Sequence, residues 1–119
     1  MNVSIKVTSN FQKEAKRLIK KFKSLKYELV DLQNKLIEDP RTGTPLGNDC
    51  YKIRLKITSK GKGKSGGARV ITLLETEIIV VGKQLSKEIT VLLLTIYDKS
   101  EVTNLSDREL SELITKYRK

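Results

Sequence analysis

Asp49-Cys50-Tyr51-Lys52-Ile53-Arg54-Leu55-Lys56-Ile57 sets three cations, Lys52, Arg54 and Lys56, in strict alternation with Ile53, Leu55 and Ile57. A period of two is the mark of a strand buried on one face, here with the apolar set inward and the cations outward. The basic character continues past the strand. Between Lys52 and Arg69 the chain carries Lys52, Arg54, Lys56, Lys60, Lys62, Lys64 and Arg69, with no acidic residue among them. Lys60, Lys62 and Lys64 stud a glycine-rich loop over Ser59–Gly67, expected to be mobile because its glycines and repelling lysines have little to pack with. Charge runs on a merely solvated face usually mix signs, and this one does not. A cationic strand beside a cationic loop suits a surface that meets phosphates, which makes Lys56, Lys60, Lys62 and Lys64 candidate RNA-binding residues.

Working outward, the other elements follow from pattern and punctuation. Val3, Ile5 and Val7 alternate with polar residues and read as a first strand. Ser9 with Gln12 forms a capping-box pattern, after which Phe11, Ala15, Leu18, Ile19 and Phe22 recur at helical spacing. A second helix runs through Leu25, Leu29, Leu32 and Leu36 and must stop before Pro40. The break near Ser24 implies a helical hairpin. Asp39–Asn48 holds both prolines and reads as a loop, and the basic strand spans Cys50–Ile57. Ala68–Val81 is a long third strand, Gly82–Lys87 a turn, and Ile89–Tyr97 a fourth strand. Apolar residues at odd and even positions alike mark strands three and four as central and covered on both faces. Ser106 with Glu109 caps a terminal helix. The order β-α-α-β-β-β-α describes an α+β fold: a mostly antiparallel four-stranded sheet with an N-terminal helical hairpin packed on it. At 119 residues, 1–119 reads as a single domain.

Composition narrows the function classes. The formal charge is +10, from 24 basic and 14 acidic side chains, so nucleic acid or an acidic protein is the expected counterpart. There is no histidine and one cysteine, which argues against a transition-metal site and excludes an internal disulfide. Cys50, on the basic strand, reads as a small buried hydrophobe. Gly61-Lys62-Gly63-Lys64-Ser65-Gly66 matches a dinucleotide fingerprint by letters but opens no helix, so no nucleotide cofactor is expected. The N-terminus lacks a signal-peptide pattern and the longest apolar run, Ile89–Ile96, is too short to span a membrane. A cytoplasmic protein without a membrane partner is the expectation.

Cutting RNA takes a base for the 2′-hydroxyl, cations for the charge that builds on phosphorus, and an acid for the leaving oxygen. Histidine, the usual proton carrier, is missing. Clustered cations offer another route, because like charges lower the pKa of a neighbouring lysine. Lys52, Arg54, Lys56 and Arg69 would cluster if strands two and three pair as a hairpin with Arg69 facing the basic side. In such a cluster Lys52 and Lys56 suit proton transfer, while Arg54 and Arg69 suit clamping phosphate. Tyr97, at the end of strand four, is placed either to stack on an unpaired base or simply to pack.

Asp49-Cys50-Tyr51-Lys52-Ile53-Arg54-Leu55 resembles the second strand of the RelE toxins. Gly66-Gly67-Ala68-Arg69-Val70-Ile71, together with Leu94-Thr95-Ile96-Tyr97-Asp98-Lys99-Ser100-Glu101, resembles the HigB branch of the RelE/ParE superfamily. The similarity runs from the first helix to Ser106, in the family's element order. It implies a type II toxin, a metal-independent, ribosome-dependent endoribonuclease that cleaves mRNA and is neutralised by a cognate antitoxin. By motif, Lys52 matches a catalytic lysine, Arg54 stands where RelE has a second lysine, Arg69 matches the phosphate-stabilising arginine, and Lys99 matches a lysine that an arginine follows in RelE. That following position is Ser100 here, and the catalytic tyrosine near the RelE C-terminus has no clear counterpart, Tyr97 being the substitute. The superfamily also contains ParE members, which share the fold and act on DNA gyrase instead; a basic RNA- or ribosome-binding module is the remaining alternative.

Overall fold

A computed structural model describes residues 2–60, 67–102 and 105–118. The elements are β1 (Asn2–Val7), α1 (Ser9–Lys21), α2 (Leu25–Glu38), β2 (Thr44–Gly47), β3 (Cys50–Leu55), a short 3-10 turn (Thr58–Lys60), β4 (Ala68–Val81), β5 (Gln84–Asp98) and α3 (Asp107–Tyr117). The five strands form one sheet in the order β1-β5-β4-β3-β2. Every neighbouring pair is antiparallel except β1 with β5. The α+β architecture expected from the pattern is present, with one strand more than expected.

The extra strand is β2, inside the segment read as a loop. Asn48 and Asp49 both take positive φ, of 54° and 63°, so a two-residue turn closes the β2–β3 hairpin. Pro45 is tolerated because β2 is an edge strand. Two other boundaries differ. The N-cap of α1 is Thr8 and not Ser9: its Oγ1 accepts from the Phe11 N–H at 3.0 Å and donates to the Leu94 carbonyl at 2.8 Å. The capping residue is thus the one that can also tie the helix to the sheet. The turn after β4 is only Gly82-Lys83, with Gly82 at φ 64°, so β5 starts at Gln84. The Ser106–Glu109 capping box at α3 is as expected.

The sheet is covered on both faces over half its length. On one face Phe11, Ala15, Leu18, Leu25, Leu32 and Leu36 of the helical hairpin pack against Ile53, Val70, Val91 and Ile96. On the other, Leu110, Leu113 and Ile114 of α3 meet Cys50, Ile71, Leu73, Leu94 and Tyr97. A register shift in the β4–β5 ladder leaves Leu94 without a pairing partner, between Thr95 opposite Ile71 and Leu93 opposite Thr72. This β-bulge switches which parity of β5 faces which core. Beyond Leu74 and before Glu88, β4 and β5 continue as a two-stranded arm with Ile78 69% and Leu85 75% exposed. Strands three and four are central as expected, but their outer halves are uncovered. The arm accounts for a long axis of 55 Å against 30 and 23 Å.

Candidate phosphate-binding and catalytic site

Register builds the site. Pairing of β3 with β4 sets Cys50 opposite Leu73, Lys52 opposite Ile71 and Arg54 opposite Arg69. Pairing of β4 with β5 sets Arg69 opposite Tyr97 and Ile71 opposite Thr95. Arg54, Arg69 and Tyr97 therefore form one rung across three strands, and Lys52 stands on the next rung of the same face. This is the α3 face, since Cys50, Ile71 and Tyr97 belong to its core. Tyr51 takes the opposite face against the helical hairpin.

Burial grades along the rung. Arg54 is exposed, whereas Arg69 and Tyr97 are each 6% exposed. The Arg69 guanidinium donates to its neighbour's carbonyl, Ala68 O, at 3.1 Å. Two guanidinium-bearing residues directly opposite each other on a sheet repel, an arrangement that an anion lying between them would relieve. Tyr97 is packed too deeply for its ring to stack on a base, so packing is the outcome for the ring. Burial pushes its phenol above the ordinary value, against smaller opposing effects of the Leu105 backbone and Arg69, which keeps the O–H protonated as a donor. The hydroxyl is buried and makes no hydrogen bond of ordinary geometry.

Lys56 lies just past the end of β3 rather than on it. β3 ends at Leu55, after which Ile57 is buried among the helices. The Thr58 N–H donates to Glu28 Oε2 at 2.8 Å and the Ser59 N–H to Ser24 Oγ at 2.9 Å. These bonds draw the chain to the α1–α2 connection, and Lys56 borders a groove together with Arg54, Glu28, Asp31 and Lys35. Alternation alone carried no sign that the strand would stop two residues early. Lys60 ends the 3-10 turn. Lys62 and Lys64, and the expected mobility of their loop, lie outside the described residues.

Lys99 follows β5 in a turn held by Asp98, whose carboxylate accepts from the Ser100 N–H at 3.0 Å and from its hydroxyl at 2.8 Å. The Lys99 N–H donates to Gly67 O at 2.9 Å, which places it at the same end of the sheet as Arg69. On the helical side, Lys21 reaches Asp98 at 3.8 Å and Arg17 reaches Glu101 at 3.1 Å, so Ser100 and its neighbours serve to anchor this turn. Tyr117, the tyrosine nearest the C-terminus, shares a hydrogen bond with Ser9 at the start of α1 and belongs to no part of the rung.

Cys50 is buried beside the basic residues, and desolvation pushes its thiol up to about 11. It is expected to resist alkylation at pH 8 in the folded protein and to react once urea unfolds the chain. Between about 9 and 11 the unfolded thiol loses its proton while the folded one keeps it, so this group's contribution to stability falls as pH rises through that window. Cys50→Ala should remove that part of the decline in urea titrations at pH 9 and 11.

Among the described residues no group of three or more Cys, Asp or Glu is placed to hold a metal ion. Among the described residues no helix is long and apolar enough to cross a membrane. The fold is similar to that of the Escherichia coli toxin RelE, solved as an arginine double mutant in the free state. The TM-score is 0.58 at 18% identity, over 98% of this chain and 99% of that one. At that identity the likeness establishes a RelE-like fold, and the chemistry has to be argued from the site. No protein-family model and no curated protein matches the sequence.

Proposed function

We propose that the chain is a single-domain, cytoplasmic type II toxin of the HigB/RelE-like branch, an endoribonuclease that cuts mRNA on the ribosome and is held inactive by an acidic cognate antitoxin. The observation that carries this reading is the Arg54–Arg69–Tyr97 rung with Lys52 beside it on one face. Two guanidinium groups there can grip one phosphate from both sides, and their attraction grows as charge builds on phosphorus. Lys52 stands on the adjacent rung, where its amine, in the unprotonated form, would take the 2′-hydroxyl proton as that oxygen attacks phosphorus. Lys99, at the end of the same sheet, is the group for protonating the departing 5′-oxygen. Tyr97, buried beside Arg69, packs as the floor of the rung.

Mapping mRNA 5′ ends after induction in a bacterial host tests the reading. New ends within translated codons, dependent on ribosomes, are the expected result. Normal mRNA with altered plasmid supercoiling would replace it with a gyrase-directed activity.

Binding to ribosomes or single-stranded RNA should weaken steeply with salt, with a log–log slope of about −0.7 per phosphate engaged. Changing Lys60, Lys62 and Lys64 together to alanine should make the slope shallower and leave thermal unfolding unchanged, since loop lysines support little stability. Filter binding across a salt series measures both, and a slope near zero in the unmodified protein would refute an electrostatic footprint.

A further inference from the structure

The two-stranded arm at the far end of the sheet has one apolar face that no element covers. Its register runs without a shift from Leu74 opposite Val91 to Val80 opposite Leu85. Leu74 and Val91 belong to the core under the helical hairpin, so Ile78, Val80 and Leu85 continue that same side of the sheet. The helices stop short of them: Ile89 is fully buried, whereas Ile78 and Val80 are each 69% exposed and Leu85 is 75% exposed. The other side of the arm is acidic, with Glu77 directly opposite Glu88. Contiguous apolar side chains left in water, with charged residues kept to the reverse face, mark an interaction surface.

Charge selects the partner. Residues 75–88 hold three acidic and two basic side chains, a net −1, so the rest of the +10 chain carries +11. An acidic partner is drawn to that basic body, since the apolar face of the arm offers it Lys87 alone. A second copy brings a matching apolar face, and the length of the arm removes the repulsion between bodies. From Glu75 to Val81 the arm extends about 23 Å at roughly 3.3 Å per residue. That is well beyond the roughly 8 Å over which charges act at physiological ionic strength.

We infer that the β4–β5 arm is a homodimerisation element: two copies lay their arms antiparallel, with Ile78, Val80 and Leu85 of one packed on the same residues of the other. Each arm then fills, over its partner, the layer that the helices fill over the inner half of the sheet. The contact is isologous, so one two-fold axis closes it, and the two +11 bodies sit at opposite ends of the paired arms. Two ribbons of this length bury on the order of 800 Å² in total, below the standard size of specific interfaces, which makes the dimer weak and concentration-dependent. No residue of the rung takes part, so the dimer is independent of the RNA-cutting function proposed above.

Sedimentation velocity of the full chain, from low to several hundred micromolar, tests it. The unmodified protein should pass from monomer to dimer across that range, and added salt should strengthen the dimer by screening the two bodies. Val80→Glu buries a carboxylate in the apolar contact and should weaken association by about tenfold or more. Val81→Glu, on the reverse face of the arm, should leave the dissociation constant within about twofold. Both positions are more than half exposed in the single chain, so both variants should keep the parent's urea midpoint, which shows that the fold is intact. A chain that stays monomeric throughout would overturn the inference, as would a dimer that salt dissolves. Equal effects of the two substitutions, or none from either, would overturn it too. So would a monomer whose arm instead holds an acidic helical peptide in a Val80-dependent way.

Discussion

Arg69→Ala should lower the rate of mRNA cleavage by about 10²–10³ and relieve growth arrest, while the protein still co-purifies with its antitoxin. Arg69 is the central member of the rung, flanked by Arg54 on β3 and Tyr97 on β5. At 6% exposure its side chain is held by packing, which is what allows a guanidinium to await charge on the phosphate without reorganising. Its loss therefore acts on the chemical step more than on binding, so single-turnover cleavage should slow far more than RNA affinity falls. Arg69→Lys should recover only part of the rate, because an ammonium does not reproduce the planar fork. Alanine at a buried position also costs stability, and urea titration of the variant separates that loss from the catalytic one. A variant that is folded and still cuts at full rate would sink the assignment of the rung.

The second large effect is on stability. Leu94→Ala should destabilise the fold by about 2–5 kcal/mol, read as a lower urea midpoint with little change in slope. Leu94 is fully buried in the core under α3 and is the bulged residue of β5. Its carbonyl accepts from Thr8, so the side chain fills the α3 core while its backbone holds the start of α1. A cavity there touches both. Against a typical total of about 5–15 kcal/mol, the loss is a large fraction. If the unfolding free energy falls by less than about 1 kcal/mol, the bulge is not the junction described above.

Much of this was legible in the sequence. Alternation around Ile53 and Leu55 gave the inward and outward faces of β3, and the Ala68–Val81 run gave β4 to the residue. Pairing of consecutive strands then brings Arg69 to Arg54, though only the register shows that the two directly oppose. What escaped was set by tertiary bonds. β3 stops short of Lys56, and Glu28 and Ser24, distant in sequence, capture Thr58 and Ser59 just beyond it. Thr8 outcompetes Ser9 as a cap because it alone reaches Leu94. β2 hid behind Pro45, and its signal was the Asn48-Asp49 turn pair.

β1 is made well before its partner β5, whose paired residues follow some 86 positions later. At about 5–20 residues per second a nascent chain waits roughly 4–17 s for that strand. Until then the apolar side of the helical hairpin has no sheet to cover, and the chain is open to chaperones and proteases. A similar wait governs Arg54 and Arg69, whose rung is completed only when Tyr97 on β5 has been made. The basic rung thus comes into being only with β5, the last strand of the sheet, and not with the strand that carries its first cations.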